Sequence, residues 1–415
     1  MHTKSDRSDV HLALAGMIAL AVAMGIGRFS FTPLLPLMQA DMGLTLAQGG
    51  WLASANYLGY LVGAVVAIRS GPSPSALMRG GLMLVVATTA LMAFVSSPML
   101  WSAARFVAGV ASAWVLVGTA ALSLGRLAQT ARSKLSGVVF AGVGFGMTVA
   151  GLLCHGLSVA GWDSRSGWWA LALVAGVGAV FAWHGATERP RAETGQSARA
   201  AAGGARSLKS PTSAAVVEAD RVDPTRSGKS GGLLVFCYGL FGFGYILPAT
   251  FLPAQARALM PDPAVFGWVW PVFGFAAMAS TLVAASRGSA YSRRTWWAVA
   301  QVVMAVGVIL PVVWGALAAL VLAAICVGGT FMVITMLGMQ EARAVAGVDA
   351  QRLMAAMTAA FATGQLFGPL VVSAIGGVGW PIDVALTLAA AGLVTSTLLL
   401  GFFSRSTLDA QEEGV

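Results

Sequence analysis

The sequence GIGRFSFTPLLP, at residues 25–36, recurs in altered form in the second half of the chain. Its counterpart is GFGYILPATFLP at residues 242–253, which aligns with it at a shift of 217 residues. The same shift places Arg126 on Arg343, and each of these arginines lies near the end of a long apolar run. Equal shifts at such distant points predict two halves of the same architecture, related as parallel repeats.

The composition indicates a protein whose outer surface faces lipid. The 415 residues are 57% hydrophobic and only 10% charged, and the mean hydropathy is +0.79. A soluble domain carries about 25% charged residues, so this chain has too few to cover a surface in water. The net charge is +9, but the basic residues form no dense patch beside aromatic residues. We therefore expect a lipid bilayer and not nucleic acid as the partner.

Twelve apolar runs are long enough to cross a hydrocarbon core about 30 Å thick, which takes roughly 20 helical residues. They lie near residues 12–37, 48–68, 77–96, 99–125, 135–160, 167–186, 232–256, 265–286, 295–313, 315–340, 353–376 and 382–403. The boundary between the ninth and tenth runs depends on Pro311 and on Trp314-Gly315 alone. The sequence thus predicts an all-α membrane protein with twelve transmembrane helices in two six-helix pseudo-repeats.

The two repeats define the predicted domains. Residues 1–186 form an N-terminal six-helix bundle, and residues 231–415 form a C-terminal one. The segment between them, residues 187–230, is rich in Ala, Ser, Gly, Arg and Pro and lacks apolar periodicity. Such a composition predicts a mobile linker. A regulatory or docking role for this linker is the alternative to a plain connector.

The distribution of Lys and Arg predicts the orientation in the membrane. If the N-terminus lies inside, only Arg165 and Arg257 fall outside, and Arg28 and Arg105 fall within spans. All other Lys and Arg residues then lie on the inner side, where positive charge accumulates. We therefore expect a multi-pass protein of a bacterial cytoplasmic (inner) membrane, with both termini and the linker in the cytoplasm.

Two further motifs carry a resemblance to a known family. RFVAGVAS at residues 105–112 has an Arg-x-x-x-Gly pattern in the fourth span, and ANYLGYLVGA at residues 55–64 lies in the second. With the motif at residues 25–36, they make the chain resemble the major facilitator superfamily, in particular its bacterial YbfB/YjiJ-type branch. The resemblance implies a monomeric secondary transporter without cofactors that moves a small organic solute by alternating access.

The chain departs from the superfamily at one motif. The loop between the second and third helices usually contains an aspartate at a fixed position in that family. Here the loop reads AIRSGPSPS at residues 67–75, and the matching loop of the second half reads ASRGSAYSR at residues 285–293. Neither contains an aspartate, so the resemblance implies no gating salt bridge based on that residue.

Arg28 is the most unusual residue of the first span. An arginine at the centre of a membrane helix costs roughly 2.5–3.5 kcal/mol on insertion scales, so its side chain should face the bundle interior. On a regular helix it shares a face with Ala21, Gly25, Thr32 and Gln39, which are small or polar. None of the sixteen Asp and Glu residues lies in the middle of a predicted span. Backbone carbonyls and hydroxyls could therefore neutralise this guanidinium, or a bound anion could do so.

Further polar residues on the predicted inner helix faces complete a candidate substrate site. Tyr245 falls at the repeat position of Arg28. Interhelical hydrogen bonding is the alternative role for each of these residues, and the case for it is strongest for Arg105. A cavity with a cation on one side and tyrosine and glutamine on the other suits an amphipathic organic anion. The candidate substrate-binding residues are Arg28, Thr32, Asn56, Tyr57, Arg105, Ser112, Tyr238, Tyr245 and Gln365.

Several function classes find no support in the sequence. The three cysteines Cys154, Cys237 and Cys326 lie far apart, so no disulfide or metal site is predicted. No GxxxxGK[ST] motif and no cluster of nucleophiles occurs, which argues against ATP drive and against an enzyme. A sensor or scaffold that binds a solute without transporting it remains the alternative.

The coupling ion is less well indicated than the transport itself. Protons are the candidate, yet the predicted spans contain no central Asp or Glu. The titratable residues nearest to the membrane on the outer side are Asp41, Asp163, Asp383 and His155.

Overall fold

The computed structural model describes residues 2–69, 73–130, 132, 134–185, 224–259, 267–287, 292–377 and 382–412. This part of the chain is helical and contains no β-strand, which confirms the predicted all-α class. Its α-helices are α1 His2–Leu20, α2 Phe31–Asp41, α3 Leu46–Arg69, α4 Pro74–Phe94, α5 Pro98–Gln129, α6 Leu135–Val159, α7 Ser164–Gly185, α8 Pro224–Leu259, α9 Val269–Arg287, α10 Arg293–Val313, α11 Leu317–Ala346, α12 Ala350–Gly377 and α13 Ile382–Glu412.

The number of spans agrees with the predicted twelve. Eleven segments of the described residues are long and apolar enough to cross a membrane. One of them, Leu317–Gly368, is 52 residues long and contains two helices, α11 and most of α12, joined by a short 3-10 turn at Gly347–Asp349. The predicted break between the ninth and tenth spans is also present, because α10 ends at Val313 and α11 begins at Leu317.

The first span is interrupted in its middle. Between α1 and α2 the chain forms a π-helical segment, Ala21–Ile26, followed by a turn. The backbone N–H groups of Gly27 and Phe29 donate to the carbonyls of Val22 and Met24, five residues earlier, at 2.8 and 3.0 Å. The extra residue in each of these turns rotates the helix face, and such π-bulges occur frequently at functional sites.

Two seams join the halves. Helix α3 of the first half packs on α12 of the second, and α6 packs on α9. Within the first half α5 packs on α3 and α4, and within the second α8 packs on α12 and α13. The broken first span and helices α5, α8 and α11 thus surround the space between the seams.

Glycine brings α6 close to neighbours on two sides. Gly142 and Gly146 lie against the backbone of the first span at Met17 and Ala21. On another face, Gly144 lies so close to α9 that an added Cβ would stand 2.4 Å from the amide nitrogen of Met278. Small residues permit this approach, which stabilises helix pairs in membranes through van der Waals contact. The small-residue face of the fifth span therefore serves helix packing.

Helix α8 begins within the predicted linker. Helix α8 starts at Pro224, seven residues before the predicted domain boundary, so residues 224–230 of the predicted linker belong to this helix. Proline is favoured in the first turn of a helix, because its missing N–H group needs no partner there. The rest of the predicted linker, up to residue 223, lies outside the described residues, as do residues 70–72 and 288–291 of the two motif loops.

The outer helix surfaces are apolar. Large hydrophobic side chains with high exposure include Leu173 at 71%, Phe181 at 64% and Leu398 at 67%. They belong to helices at the periphery of both halves. Contiguous apolar surfaces of this kind suit contact with lipid chains.

Ion pairs lie at the end of the bundle where α5 ends and α6 begins. The buried carboxylate of Asp9 accepts a hydrogen bond from Nε of Arg126 at 3.0 Å. In the second half Glu341 accepts from Nε of Arg293 and from Nε of Arg294, at 3.0 and 2.7 Å. Thus these two acids, which the sequence places outside the span centres, neutralise arginines near the helix ends.

Replacement of Gly144 by valine should separate α6 from α9. The new side chain meets backbone atoms of Met278 and Gly274 that cannot move independently of their helix. Overpacking of this kind costs about 1–3 kcal/mol, so we expect a lower melting temperature and less monodisperse protein in size-exclusion chromatography. The control is Gly156→Val on the same helix, where no atom lies within 4 Å of the added Cβ. Equal stability of the two variants would contradict the close packing at this seam.

Candidate functional site

Arg28 lies in the turn between the π-helical segment and α2, and its side chain is buried between the halves. Only 2% of the residue is exposed. Its Nη2 donates a hydrogen bond to Oε1 of Gln365, which lies in the middle of α12 and is fully buried. A residue of the first half is therefore bonded directly to a residue of the second, 337 positions away.

Aromatic rings surround the guanidinium of Arg28. Its Cζ lies 3.8 Å from the ring centroid of Tyr60, which covers one face of the group. The ring centroids of Tyr57 and Phe29 are 5.5 and 5.6 Å away. Cation–π contacts at these distances are favourable, and more so when the cation has lost its water. The rings thus offset part of the cost of burying the charge.

Several hydrogen-bonding groups of this region have no partner among the described residues. They are Nε and Nη1 of Arg28, Nε2 of Gln365 and the hydroxyl of Tyr245. All are buried, and the Tyr245 phenol interacts electrostatically with Arg28. An unpaired buried donor costs about 1–3 kcal/mol, and more if it is charged. Such a group of donors from both halves is the arrangement that an acceptor-rich ligand would satisfy.

An aromatic cluster from the second half lies beside these polar groups. Tyr245 stacks on Phe331 with ring centroids 4.9 Å apart, and Phe361 lies 6.1 Å from Tyr245. Phe29 of the first half reaches this cluster, with its ring 6.1 Å from Phe331 and 6.5 Å from Trp270. The region next to the cation is therefore apolar and lined by flat rings.

Arg105 has a different environment from that of Arg28. Its Nη1 and Nη2 donate to the backbone carbonyls of Gly27 and Arg28, each at 2.9 Å. These carbonyls belong to the interrupted part of the first span, where the regular helical bonds are missing. Asn56 in turn donates from Nδ2 to the carbonyl of Arg105 at 2.9 Å. This geometry gives Arg105 and Asn56 a structural role, and a direct contact with substrate stays a prediction for both.

Ser112 supports the same interruption two turns further along α5. Its hydroxyl lies 2.9 Å from the carbonyl of Ala23, in the π-helical segment, and 2.7 Å from that of Ala108. Arg105 and Ser112 together hold the backbone that carries Arg28. The prediction that the first span is a regular helix, with Arg28 on its small and polar face, is therefore wrong. The π-helical segment rotates that face and places Arg28 in a turn.

Two cavities lie between the halves, at opposite ends of the bundle. The first, of about 240 Å³, is lined by Thr32, Pro36, His155 and Trp270 among others. The second, of about 370 Å³, is lined by Lys134, Gln340, Arg293 and Arg343 and by apolar side chains. Arg28 is not among the lining residues of either cavity, and its side chain is buried.

The structure brings some of the predicted site residues together and separates others. Arg28, Tyr57, Tyr245 and Gln365 meet at the centre. Thr32 lines the smaller cavity instead. Tyr238 is buried in the second half, with its ring 6.0 Å from Trp297 and 5.5 Å from Phe361.

Sequence reasoning missed Tyr60, the ring closest to Arg28. Tyr60 follows Asn56 by four residues and Tyr57 by three, so all three share one face of α3. This spacing was a usable signal. The phenylalanines of the cluster carried no such signal, because an apolar residue in an apolar span could equally face lipid.

Three of the titratable residues predicted near the outer side make contacts with residues other than Arg28. Asp41 accepts hydrogen bonds from the hydroxyl and the backbone N–H of Ser164. Hydrogen bonds from the hydroxyl and N–H of Ser166 hold the pKa of the exposed Asp163 below its usual range. His155 lies against Trp268 with ring centroids 5.2 Å apart. These contacts connect helix ends, and proton coupling through any of the groups stays a prediction.

Comparison with known proteins gives two results. The family model described as "Uncharacterised MFS-type transporter YbfB" matches residues 20–400. Among solved structures, the crystal structure of the human organic anion transporter MFSD10 (TETRAN) is similar, with a TM-score of 0.68 over 95% of this chain and 99% of that chain. The sequence identity is 15%, so this similarity shows the fold alone. No curated protein matches.

Replacement of Arg105 by glutamine should destabilise the protein. The change removes two charged hydrogen bonds to the carbonyls of Gly27 and Arg28, each worth about 1.5–3 kcal/mol. We expect a clearly lower melting temperature in detergent. The control is Arg165→Gln, an exposed arginine whose Nη2 donates to Ser96, which should melt like the wild type. An Arg105→Gln protein of normal stability that no longer binds solute would instead place Arg105 in direct contact with substrate.

Proposed function

We propose that this chain, which belongs to the YbfB-type family of major facilitator transporters, moves a small organic anion across the bacterial cytoplasmic membrane. The proposed mechanism is alternating access. The observation that carries this proposal is the guanidinium of Arg28. It is buried at the centre of the bundle and forms no ion pair with any described carboxylate. Its remaining donors are free for a ligand.

Charge supports an anionic group on the solute. A buried cation without a counter-ion is unfavourable, and an intramembrane arginine without an acidic partner is commonly a functional group. Carboxylates and phosphates match the planar guanidinium because both oxygens accept parallel hydrogen bonds. A bound anion would also satisfy Nε2 of Gln365 and the hydroxyl of Tyr245, which come from the opposite half.

The aromatic cluster supports an apolar body on the same solute. Phe29, Tyr245, Phe331 and Phe361 provide ring faces and edges next to the cation. Binding sites for small organic molecules are typically apolar with a few placed polar groups. The printed description of the structural neighbour MFSD10, an organic anion transporter, is compatible with this substrate class.

The position of the site supports alternating access. Arg28 belongs to the first half and Gln365 to the second, and a separate cavity lies between the halves at each end of the bundle. A solute held between them would contact both halves, and movement of one half against the other would expose it to either side. Protons are the proposed energy source, and no residue is assigned to carry them. Asp9 and Glu341 are not assigned this role because both lie in ion pairs near the helix ends.

Arg28→Lys and Arg28→Gln test the substrate contact. Lysine keeps the charge and loses the planar pair of donors, whereas glutamine loses the charge. We expect both to weaken binding, glutamine more strongly, by about 1.5–3 kcal/mol for a lost charged hydrogen bond, which corresponds to roughly 10- to 150-fold in Kd. Affinity is measured on purified protein for the organic acid that gives the largest thermal shift in a panel of carboxylic acids.

Uptake into proteoliposomes completes this test. Flux of the same acid into vesicles with wild-type protein, and its loss with Arg28→Gln, is expected for a transporter. Binding without flux would favour a sensor or scaffold. A well-folded Arg28→Gln protein of unchanged affinity would contradict the role of Arg28 in substrate binding.

Reporter fusions test the orientation. Alkaline phosphatase fused after Asp41, after Asp163 or after Asp262 should be active outside, and fusions within residues 190–230 should be inactive. The reason is that nearly all Lys and Arg outside the spans then lie in the cytoplasm. Residue 262 and residues 190–223 lie outside the described part of the chain. Activity inside the linker, together with inactivity after Asp163, would reverse the proposed orientation.

A further inference from the structure

We propose that the larger cavity between the halves is a second binding site, which takes an organic anion that carries a phosphate group. This cavity, of about 370 Å³, lies at the end of the bundle where α5 ends and α6 begins. In the proposed orientation this end faces the cytoplasm. Arg28 and Gln365 are not among its lining residues. The inference therefore goes beyond the proposed transport activity and does not depend on the role of Arg28.

The charge of this cavity favours an anion. Three basic residues line it, Lys134, Arg293 and Arg343, and none of the described acids does so. Glu341 lies beside the cavity and bonds to both Arg293 and Arg294, so this group of three keeps one positive charge. A cleft lined by one sign of charge focuses the electric field and raises the local concentration of ions of the opposite sign. The cavity is thus suited to collect anions.

Two of the lining cations have hydrogen-bond donors left for a ligand. Lys134 is exposed and forms no ion pair with a described carboxylate. Within the described residues, Arg343 makes one hydrogen bond, from Nη1 to the carbonyl of Gly347 at 3.3 Å. A phosphate monoester carries about −1.5 to −2 charges near pH 7 and three strong acceptor oxygens. It can therefore accept from an ammonium and a guanidinium at once, and it matches two cations better than a carboxylate with its single charge.

These two cations come from different halves of the bundle. Lys134 directly precedes α6 of the first half, whereas Arg343 belongs to α11 of the second. The halves touch at this cavity, where Nε2 of Gln340 donates to the hydroxyl of Ser136 at 2.6 Å. Arg343 also reaches α5, since its Nη2 lies 3.6 Å from the position of a Cβ added at Gly125. An anion bound to both cations would bridge the halves and shift the population toward the conformation in which these helix ends lie together.

The rest of the cavity wall suits the organic part of such an anion. The wall is mostly apolar, and its members include Leu124, Leu127, Trp296, Met336 and Leu337. The cavity volume lies within the range of about 300–1,000 Å³ that is typical of sites for small organic molecules. Two sources supply this chemistry, a soluble phosphate ester and the headgroup of an anionic phospholipid. Basic pockets between membrane helices bind such headgroups on the cytoplasmic side.

Isothermal titration of the purified protein with phenyl phosphate tests this site. The probe joins a phosphate to a flat apolar ring. We expect Lys134→Gln and Arg343→Gln each to raise the Kd for phenyl phosphate by about tenfold or more, as for other lost hydrogen bonds to charged groups. The matched control is Arg352→Gln, which removes an exposed arginine near the start of α12 that does not line the cavity. It should bind phenyl phosphate like the wild type.

A second probe separates this site from the central one. Benzoate joins a carboxylate to the same flat ring and serves as the probe for the site at Arg28. Because the guanidinium of Arg28 also matches a phosphate, the phenyl phosphate titrations are made both in the wild type and in Arg28→Gln. Arg28→Gln should keep one phenyl phosphate site that depends on Lys134 and Arg343. The double variant Lys134→Gln/Arg343→Gln should lose that site and bind benzoate like the wild type.

Native mass spectrometry distinguishes the two sources of the phosphate group. The protein is reconstituted in nanodiscs of phosphatidylcholine with and without phosphatidylglycerol. Retention of phosphatidylglycerol by the wild type and by Arg352→Gln, and its loss from the double variant, would identify a lipid headgroup as the occupant. Binding of phenyl phosphate at the site without retained lipid would identify a soluble ester. Either result supports the site.

The outcomes for the two proposals are distinct. Phenyl phosphate binding that is unchanged in both Lys134→Gln and Arg343→Gln, or that is lost completely in a folded Arg28→Gln protein, would overturn the second site, unless phosphatidylglycerol is retained there as described. A wild type that binds phenyl phosphate through Lys134 and Arg343 but does not bind benzoate would support the second site and count against the proposed substrate class. Melting temperatures show that each variant is folded.

Discussion

Burial of one guanidinium in a bundle without a neighbouring carboxylate is the constraint on which the site depends. Arg28 is compensated in part by the ring of Tyr60 and by the oxygen of Gln365. Two of its donor nitrogens have no bond to any described residue. The site is consequently incomplete without an acceptor, and the two halves meet at the hydrogen bond between Arg28 and Gln365.

The position of this guanidinium depends on the interruption of the first span. A π-helical segment and a turn leave backbone carbonyls without regular helical partners, and Arg105 and Ser112 supply donors from α5. The close approach of Gly25 to Gly146 lets the irregular backbone pack directly on α6. The two buried arginines therefore have separate tasks: Arg105 fixes the backbone, and Arg28 presents its side chain to the centre.

Much of the fold could be predicted from the sequence because bilayer thickness sets the length of each apolar run. The break at Trp314-Gly315 followed from the length of a span, and the interior position of Arg28 followed from the cost of a charge that faces lipid. The π-helical segment could not be predicted, since it depends on contacts with α5 and α6 that no local pattern encodes. Gln365 was recognised only as a polar residue on an inner face. Its pairing with Arg28 joins residues 337 positions apart and requires the tertiary arrangement.

A structure of the protein with benzoate bound, determined by cryo-electron microscopy in lipid nanodiscs, tests the central claim most directly. The account predicts density for a carboxylate in the plane of the Arg28 guanidinium, with both oxygens within hydrogen-bond distance of its nitrogens. Benzoate density elsewhere in the bundle, away from Arg28, would contradict it.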